Sequence, residues 1–197
     1  MILSTRNPHK LREMSELLPG VELEPLPPEV ELPPEDGDSF AANALIKARA
    51  AQAATGAVAI ADDSGICAED LGGAPGIYSA RYAGPGASDG ENLAKLLREV
   101  DAAGGERRAA YVCALALVDA DGEERVFEAR CEGRLLRQGR GEGGFGYDPA
   151  FVPDETGPDD GRTFAELSDA EKHAVSHRGK AVRLLAAHLG FAAAETS

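Results

Sequence analysis

The chain has 197 residues, 43% hydrophobic and 27% charged, and its 34 acidic against 20 basic side chains give a formal net charge of −14. That composition is globular and excludes wholesale disorder, and the length suits one domain spanning residues 1–197 with a core that buries about 70% of the unfolded surface. The acidic balance argues against a polynucleotide partner, whose phosphates the overall field repels, and no apolar run approaches the roughly 18 residues of a membrane span.

The opening MILSTRNPHK meets polar residues at once, without the apolar stretch of a signal peptide. Cys67, Cys113 and Cys131 are widely spaced and form no C-x-x-C pair. They read as small apolar residues in a reducing, cytoplasmic setting rather than as a disulfide framework or zinc site.

In chain order, Ile2 and Leu3 begin a short buried strand, and Leu11, Met14, Leu17 and Leu18 mark one face of a helix ending near Pro19-Gly20. Val21 to Leu26 reads as a second strand. Five prolines between Pro25 and Pro34 then impose an extended connection. A long Ala-rich helix follows, capped by Asp38 or Ser39 and stopped by Gly56. Ala57 to Ala61 is a short apolar strand whose C-terminal end delivers Asp62-Asp63-Ser64-Gly65, and open α/β sheets place ligands beyond such ends. Ser88-x-x-Glu91 is a capping box that starts a helix running through Val100. Residues 109–119 and 124–136 read as two strands joined by the turn Asp119-Ala120-Asp121-Gly122. A second capping box, Ser168-x-x-Glu171, opens a short helix. The final helix buries Val182, Leu185 and Leu189 and stops at Gly190, and AAAETS reads as a frayed end. The pattern predicts an α/β fold, a mixed twisted sheet with flanking helices in which an antiparallel hairpin extends a partly parallel sheet.

Four segments could carry chemistry. Ser4-Thr5-Arg6-Asn7-Pro8-His9-Lys10 lies between a strand and a helix N-terminus, where outward-pointing backbone N–H groups can cradle an oligophosphate; it lacks the glycines and spacing of a P-loop and equally fits an ordinary helix cap. In Asp62-Asp63-Ser64-Gly65, neighbouring carboxylates on an extended chain point in different directions, so that one can hold a metal while the other braces the turn. Asp63 suits magnesium, which takes few carboxylates and completes its shell with phosphate oxygens; a polar turn closing a strand is the alternative. Glu35, before the long helix, is a candidate second ligand, or simply negative charge at a helix N-terminus. In Gly143-Gly144-Phe145-Gly146-Tyr147-Asp148-Pro149, glycines allow close approach to a flat ligand, and Phe145 or Tyr147 could stack on a base or merely pack. Glu171 to Lys180 is the densest cationic stretch, with Lys172, His177, Arg178 and Lys180. Those donors suit a purine carbonyl or phosphates, and equally the C-terminal end of a short helix.

Taken together and in this order, the segments resemble the inosine/xanthosine triphosphate pyrophosphatase family. The matching stretches are ILSTRNPHKLREM, FAANALIKA, AIADDSGICAEDLGGAPGIYSARYAG, GGFGYDPAF and ELSDAEKHAVSHRGKA. The resemblance implies two lobes around a central cleft, a homodimer, and magnesium-dependent hydrolysis of non-standard purine nucleoside triphosphates such as dITP, ITP and XTP to the monophosphate and pyrophosphate. Carried onto this chain, it implies that Thr5, Arg6, Asn7, Pro8, His9 and Lys10 bind the triphosphate and that Ser64 contacts substrate. Asp63 would be metal ligand and proton acceptor, with Glu35 a second acidic metal position. Phe145, Gly146, Tyr147 and Asp148 would form the base loop, completed by Lys172, His177 and Arg178. One departure stands out: Ala41 and Ala42 occupy positions where family members often carry glutamates. Two rival readings remain, a pyrophosphatase for methylated or pyrimidine nucleotides and a nucleotide sensor that does not turn over.

Overall fold

The structure, a computed structural model, describes residues 1–191, so the expectation for AAAETS lies outside the described residues. They gather into two compact units. The first comprises residues 1–63, 113–129 and the chain from Arg178 onward; the second comprises residues 64–112 and 130–177.

Six strands are joined in the order β2-β1-β3-β4-β5-β6. They are β1 (Ile2–Leu3), β2 (Glu24–Pro25), β3 (Ala59–Ala68), β4 (Arg108–Val118), β5 (Glu124–Leu135) and β6 (Phe151–Pro153). The helices are α1 (Pro8–Leu17), α2 (Phe40–Thr55), α3 (Asp89–Ala103), α4 (Asp169–Val175) and α5 (His177–Leu189). The β1 strand pairs in parallel with both β2 and β3, whereas β5 and β6 are antiparallel. The expected mixed sheet with flanking helices is therefore present. At the β4–β5 turn, Asp119 Oδ1 accepts the N–H groups of Asp121 and Glu123, both at 2.9 Å, an Asx arrangement that closes the hairpin.

In the first unit the alternation of β4 sorts the core. Cys113, Leu115 and Leu117 pack with Leu3 and Ile60 against Met14 and Leu18, at the α1 end, and Val182 and Leu185 of α5. Ala114, Ala116 and Val118 pack with Ala61 against Ala44 and Ala48 of α2. Side chains on a strand point alternately to its two faces, so α1 and α5 cover one face and α2 the other. The apolar run in β4 lacks polar alternation because both faces are buried. Alanines on α2 and on the facing strand let helix and sheet approach closely. In the second unit Ile66, Leu96, Val100, Tyr111, Phe151 and Phe164 form a separate core.

The structure departs from the sequence reading most clearly in two strands. The second strand is only Glu24–Pro25, not Val21 to Leu26. Pro25, Pro27 and Pro28 donate no ladder hydrogen bonds, and the carbonyls of Leu26, Pro27, Pro28 and Val30 accept instead from the Arg6 guanidinium, at 2.7 to 3.4 Å. More consequentially, β3 does not stop before Asp62-Asp63-Ser64-Gly65 but runs through it to Ala68. A buried strand can carry two adjacent carboxylates because each face supplies cations. The helix caps follow the sequence closely. Ser39 rather than Asp38 caps α2 and Gly56 ends it, and both capping boxes form, at Ser88–Glu91 and Ser168–Glu171. The α3 helix continues to Ala103, three residues past the expected Val100. Among the described residues, no helix is long and apolar enough to cross a membrane.

Candidate active site

The first unit holds a buried charge cluster built on β3. Asp62 shares the parity of Ile60 and so faces α1 and α5; Asp63 shares that of Ala61 and faces α2. On its side Asp62 meets Lys10 at 3.0 Å and the fork of Arg178, whose Nη2 and Nε lie 3.0 and 3.3 Å from Oδ2. Arg178 Nη1 also donates to Glu13. Lys10, Glu13 and Met14 share one face of α1 by their three- and four-residue spacing, which brings the two charged groups onto the strand with the apolar one.

On the opposite side Asp63 accepts from Asn43 Nδ2 at 3.2 Å and from Lys47 Nζ at 3.3 Å. Lys47 Nζ also donates to the Asp62 carbonyl at 2.9 Å and pairs with Glu35 Oε1 at 2.7 Å. Asn43 and Lys47 are one turn apart on α2. The Asn43 side-chain oxygen accepts the Gly37 N–H at 2.9 Å, which ties down the segment carrying Glu35. Ser4 Oγ donates to the Lys47 carbonyl at 2.9 Å. Thus the two carboxylates expected to hold a metal, Glu35 and Asp63, converge on one ammonium.

The two aspartates are tuned in opposite directions. Burial by itself would raise the Asp62 pKa, but Lys10, Arg178 and Lys47 outweigh it and hold the carboxylate below its ordinary range. For Asp63 burial prevails over Lys47 and Lys10, and Glu35 adds to it, so its pKa is raised. Asp63 is therefore the more basic of the two carboxylates, while Asp62 stays a fixed negative charge. Burial also opposes the charge on Lys47, yet Asp63, Asp62 and Glu35 prevail and keep it protonated.

The Thr5-to-Lys10 segment is capped from within. Asn7 Oδ1 accepts the N–H groups of His9, at 2.9 Å, and Lys10, at 3.4 Å, and Thr5 Oγ1 accepts that of Asn7 at 3.1 Å. Pro8 takes the first helical position, where its missing N–H costs nothing. Arg6 points into the proline-rich segment, as described above, while Pro8 and His9 are exposed. Among these residues Lys10 reaches the carboxylate cluster through its side chain, at Asp62.

The second unit gathers the other candidates around Asp148. Its Oδ2 accepts from Lys172 Nζ and from the Phe145 N–H, both at 2.9 Å, and its Oδ1 from Tyr111 Oη at 3.0 Å. The Lys172 ammonium lies 5.1 Å from the Phe145 ring centroid. His177 stacks on Tyr111, with centroids 4.6 Å apart and planes 7° from parallel. Gly144 has φ +69°, and a Cβ there would lie 2.2 Å from Asp148 Oδ2, so the tight loop needs glycine. The Gly146 N–H donates to Asp89 at 2.7 Å, which pins the loop to the start of α3. Tyr147 is buried, with its hydroxyl donating to the Ser79 carbonyl at 2.7 Å. Of the two aromatics proposed to stack on a base, Tyr147 is buried and Phe145 half-buried; Ser64 is also half-buried.

The structure therefore groups Lys10, Glu35, Asp63 and Arg178 in one unit, and Phe145, Asp148, Lys172 and His177 in the other. The Arg178 guanidinium binds Asp62 and Glu13. Sequence reasoning missed Glu13, Asn43, Lys47 and Tyr111. The spacing Asn43–Lys47 on an Ala-rich helix was a usable signal, since two polar residues one turn apart on an apolar face point to buried partners. Glu13 and Tyr111 carried none, because their partners lie far away in sequence. Ala41, at one of the family's glutamate positions, packs against the α2-side core.

The model of the Ham1 family matches residues 1–188 of the chain. The dITP/XTP pyrophosphatase of Geobacter sulfurreducens is 47% identical over 97% of this chain and 96% of that protein. The enzyme of the same name from Erwinia tasmaniensis is 48% identical over 94% and 91%. Among solved structures, a HAM1 protein from Coxiella burnetii superposes with a TM-score of 0.85 at 40% identity, covering 96% of this chain and 97% of that one. The nucleoside-triphosphatase / dITP/XTP pyrophosphatase of Mycobacterium abscessus gives 0.75 at 48% identity, covering 95% and 97%. With a family model running almost end to end and near-half identity to proteins of matching length, the chain belongs to the Ham1 family.

Proposed function

We propose that this protein hydrolyses non-standard purine nucleoside triphosphates (dITP, ITP and XTP) to the monophosphate and pyrophosphate, with Mg²⁺, as a cytoplasmic homodimer. The curated relatives bear the name of that activity. The observation that carries the reading is the β3 charge cluster, in which Asp62, paired with Lys10 and Arg178, stands back to back with Asp63, which accepts from Lys47 and Asn43.

Residues of the first unit handle the triphosphate. Glu13, Glu35, Asp62 and Asp63 stand against Lys10, Lys47 and Arg178, which leaves the cluster one negative charge in excess. Such a cluster accepts a polyphosphate only together with a divalent cation. Glu35 and Asp63 fit magnesium: both reach one point now held by an ammonium, and a hard cation needs only one or two carboxylates beside water and substrate oxygens. When bound, the ion supplies charge neutralisation on phosphate oxygens and acidifies water. Asp63 accepts the proton of a water whose oxygen bonds to the α-phosphorus as the bond to the pyrophosphate oxygen breaks. Lys10 and Lys47 offset the charge that develops on the leaving pyrophosphate. Arg178 and Glu13 hold Asp62 in place, and Asp62 in turn orients Lys10.

Residues of the second unit read the base. Phe145 offers a ring face, and Lys172 and His177 offer donors suited to the six-carbonyl of hypoxanthine or xanthine. Adenine carries an amino group there and would leave those donors unpaired, a mismatch that discriminates by orders of magnitude.

An initial-rate panel measuring pyrophosphate release with Mg²⁺ tests the reading. ITP, dITP and XTP should exceed ATP, GTP, dTTP and UTP, EDTA should abolish release, and Asp63→Asn should lower kcat about 10²–10⁴-fold without loss of fold. UTP or dTTP cleaved as well as ITP would refute the purine assignment, and ITP binding without pyrophosphate release would indicate a sensor.

A further inference from the structure

Tyr111 lies on β4, outside every motif that suggested function, and it touches two of the base-reading candidates at once. Its hydroxyl donates to Asp148 Oδ1 at 3.0 Å. Its ring lies parallel to the His177 imidazole at 4.6 Å. The ring is itself held, stacked with Phe164 at 5.7 Å and met edge-on by Phe151 at 4.9 Å. Burial, reinforced by the neighbouring Asp148, pushes the phenol pKa far up, so the hydroxyl remains a donor at any working pH.

The terminal torsions of Asp and His are soft, with broad wells rather than sharp rotamers. Asp148 is anchored through Oδ2 by Phe145 and Lys172, but without a donor at Oδ1 its carboxylate could swing about that anchor. The His177 imidazole lies flat on the Tyr111 ring, which limits rotation of its plane. A site that discriminates by leaving wrong partners unpaired works only if its polar groups cannot re-aim to meet them.

We propose that Tyr111 is a positioning residue for base discrimination, fixing the Asp148 carboxylate through its hydroxyl and the His177 plane through its ring, so that one side chain sets the selectivity for six-oxo over six-amino purine triphosphates. This rests on the purine triphosphatase reading above.

The test compares kcat and KM for ITP and ATP in the wild type, Tyr111→Phe, which keeps the stack and drops the hydroxyl, and Tyr111→Leu, which drops both. In Tyr111→Phe the ITP-to-ATP ratio of kcat/KM falls roughly tenfold, the loss expected for one hydrogen bond to a charged group. The change appears in KM for ITP, with kcat within about twofold. Tyr111→Leu loses more, and Tyr111→Phe restores part of that loss. Equal falls for both substrates in Tyr111→Phe, or an unchanged ratio, overturn the proposal. A wild type that does not prefer ITP to ATP instead overturns the purine reading itself, and the proposal with it. If Tyr111→Phe does not fold, Phe164→Leu, which loosens the Tyr111 ring from behind, must lower the same ratio; an unchanged ratio overturns the proposal.

Discussion

Replacing Arg178 by methionine tests whether the β3 cluster is held as described. Arg178 is 2% exposed, and its guanidinium donates through Nε and Nη2 to Asp62 and through Nη1 to Glu13. Methionine fills similar volume but takes the guanidinium away from two buried carboxylates, leaving Lys10 and the nearby charge of Lys47 to offset Asp62. Removing one partner of a buried ion pair costs about 3–5 kcal/mol, because the abandoned charge stays desolvated. For a chain of this size each kcal/mol corresponds to about 2–4 °C, so Tm should fall by roughly 6–20 °C. Urea unfolding at pH 7 gives the same quantity through the midpoint. Arg178→Lys keeps the charge but not the fork and should recover about half of the loss. Adding Glu13→Gln to Arg178→Met neutralises one of the two buried carboxylates and should regain about 1–2 kcal/mol, so that the second substitution stabilises. A loss below about 1 kcal/mol for Arg178→Met, or a further loss on adding Glu13→Gln, would refute the account of the cluster.

Arg6→Ala removes the guanidinium from four carbonyls of the proline-rich segment; it should cost about 1–2 kcal/mol in urea unfolding and speed limited proteolysis within residues 26–34. Gly65→Ala would place a Cβ 2.4 Å from Ser79 Oγ and 2.6 Å from the Gly76 carbonyl; since backbone cannot yield there, a loss of roughly 2 kcal/mol or more should appear in the same assay. The Glu171 carboxyl is drawn down from 4.5 to about 2, first by Arg162 and then by the Ser168 backbone and hydroxyl. A pKa lowered on folding adds stability that is fully present above the unfolded pKa and lost as pH falls through the folded one. The difference in Tm between wild type and Arg162→Gln should therefore be largest at neutral pH and fade between about pH 4.5 and pH 2; a constant difference across that window would contradict the assignment.

Much of the fold was legible because its signals are local. Capping boxes at Ser88 and Ser168, the stop at Gly56 and the turn at Asp119 depend on residues three or four apart, and each stands where the sequence placed it. The second strand is shorter than its pattern suggests partly for a non-local reason, since the Leu26 carbonyl at its expected end is taken by Arg6, twenty residues earlier.

The sequence by itself determined the kinds of group the molecule would use: adjacent aspartates after an apolar strand, a glycine-rich aromatic loop, and cations at both ends of an acidic chain. It could not determine how those charges pair. Asp62-Asp63-Ser64-Gly65 looks like a turn because two neighbouring carboxylates are ruinous inside a strand unless each finds a cation, and the cations come from positions 10, 47 and 178. Only the tertiary structure, by laying α2 on one face of β3 and α1 with α5 on the other, decides that the pair is buried. The same packing holds Asp62 ionised and makes Asp63 the basic one.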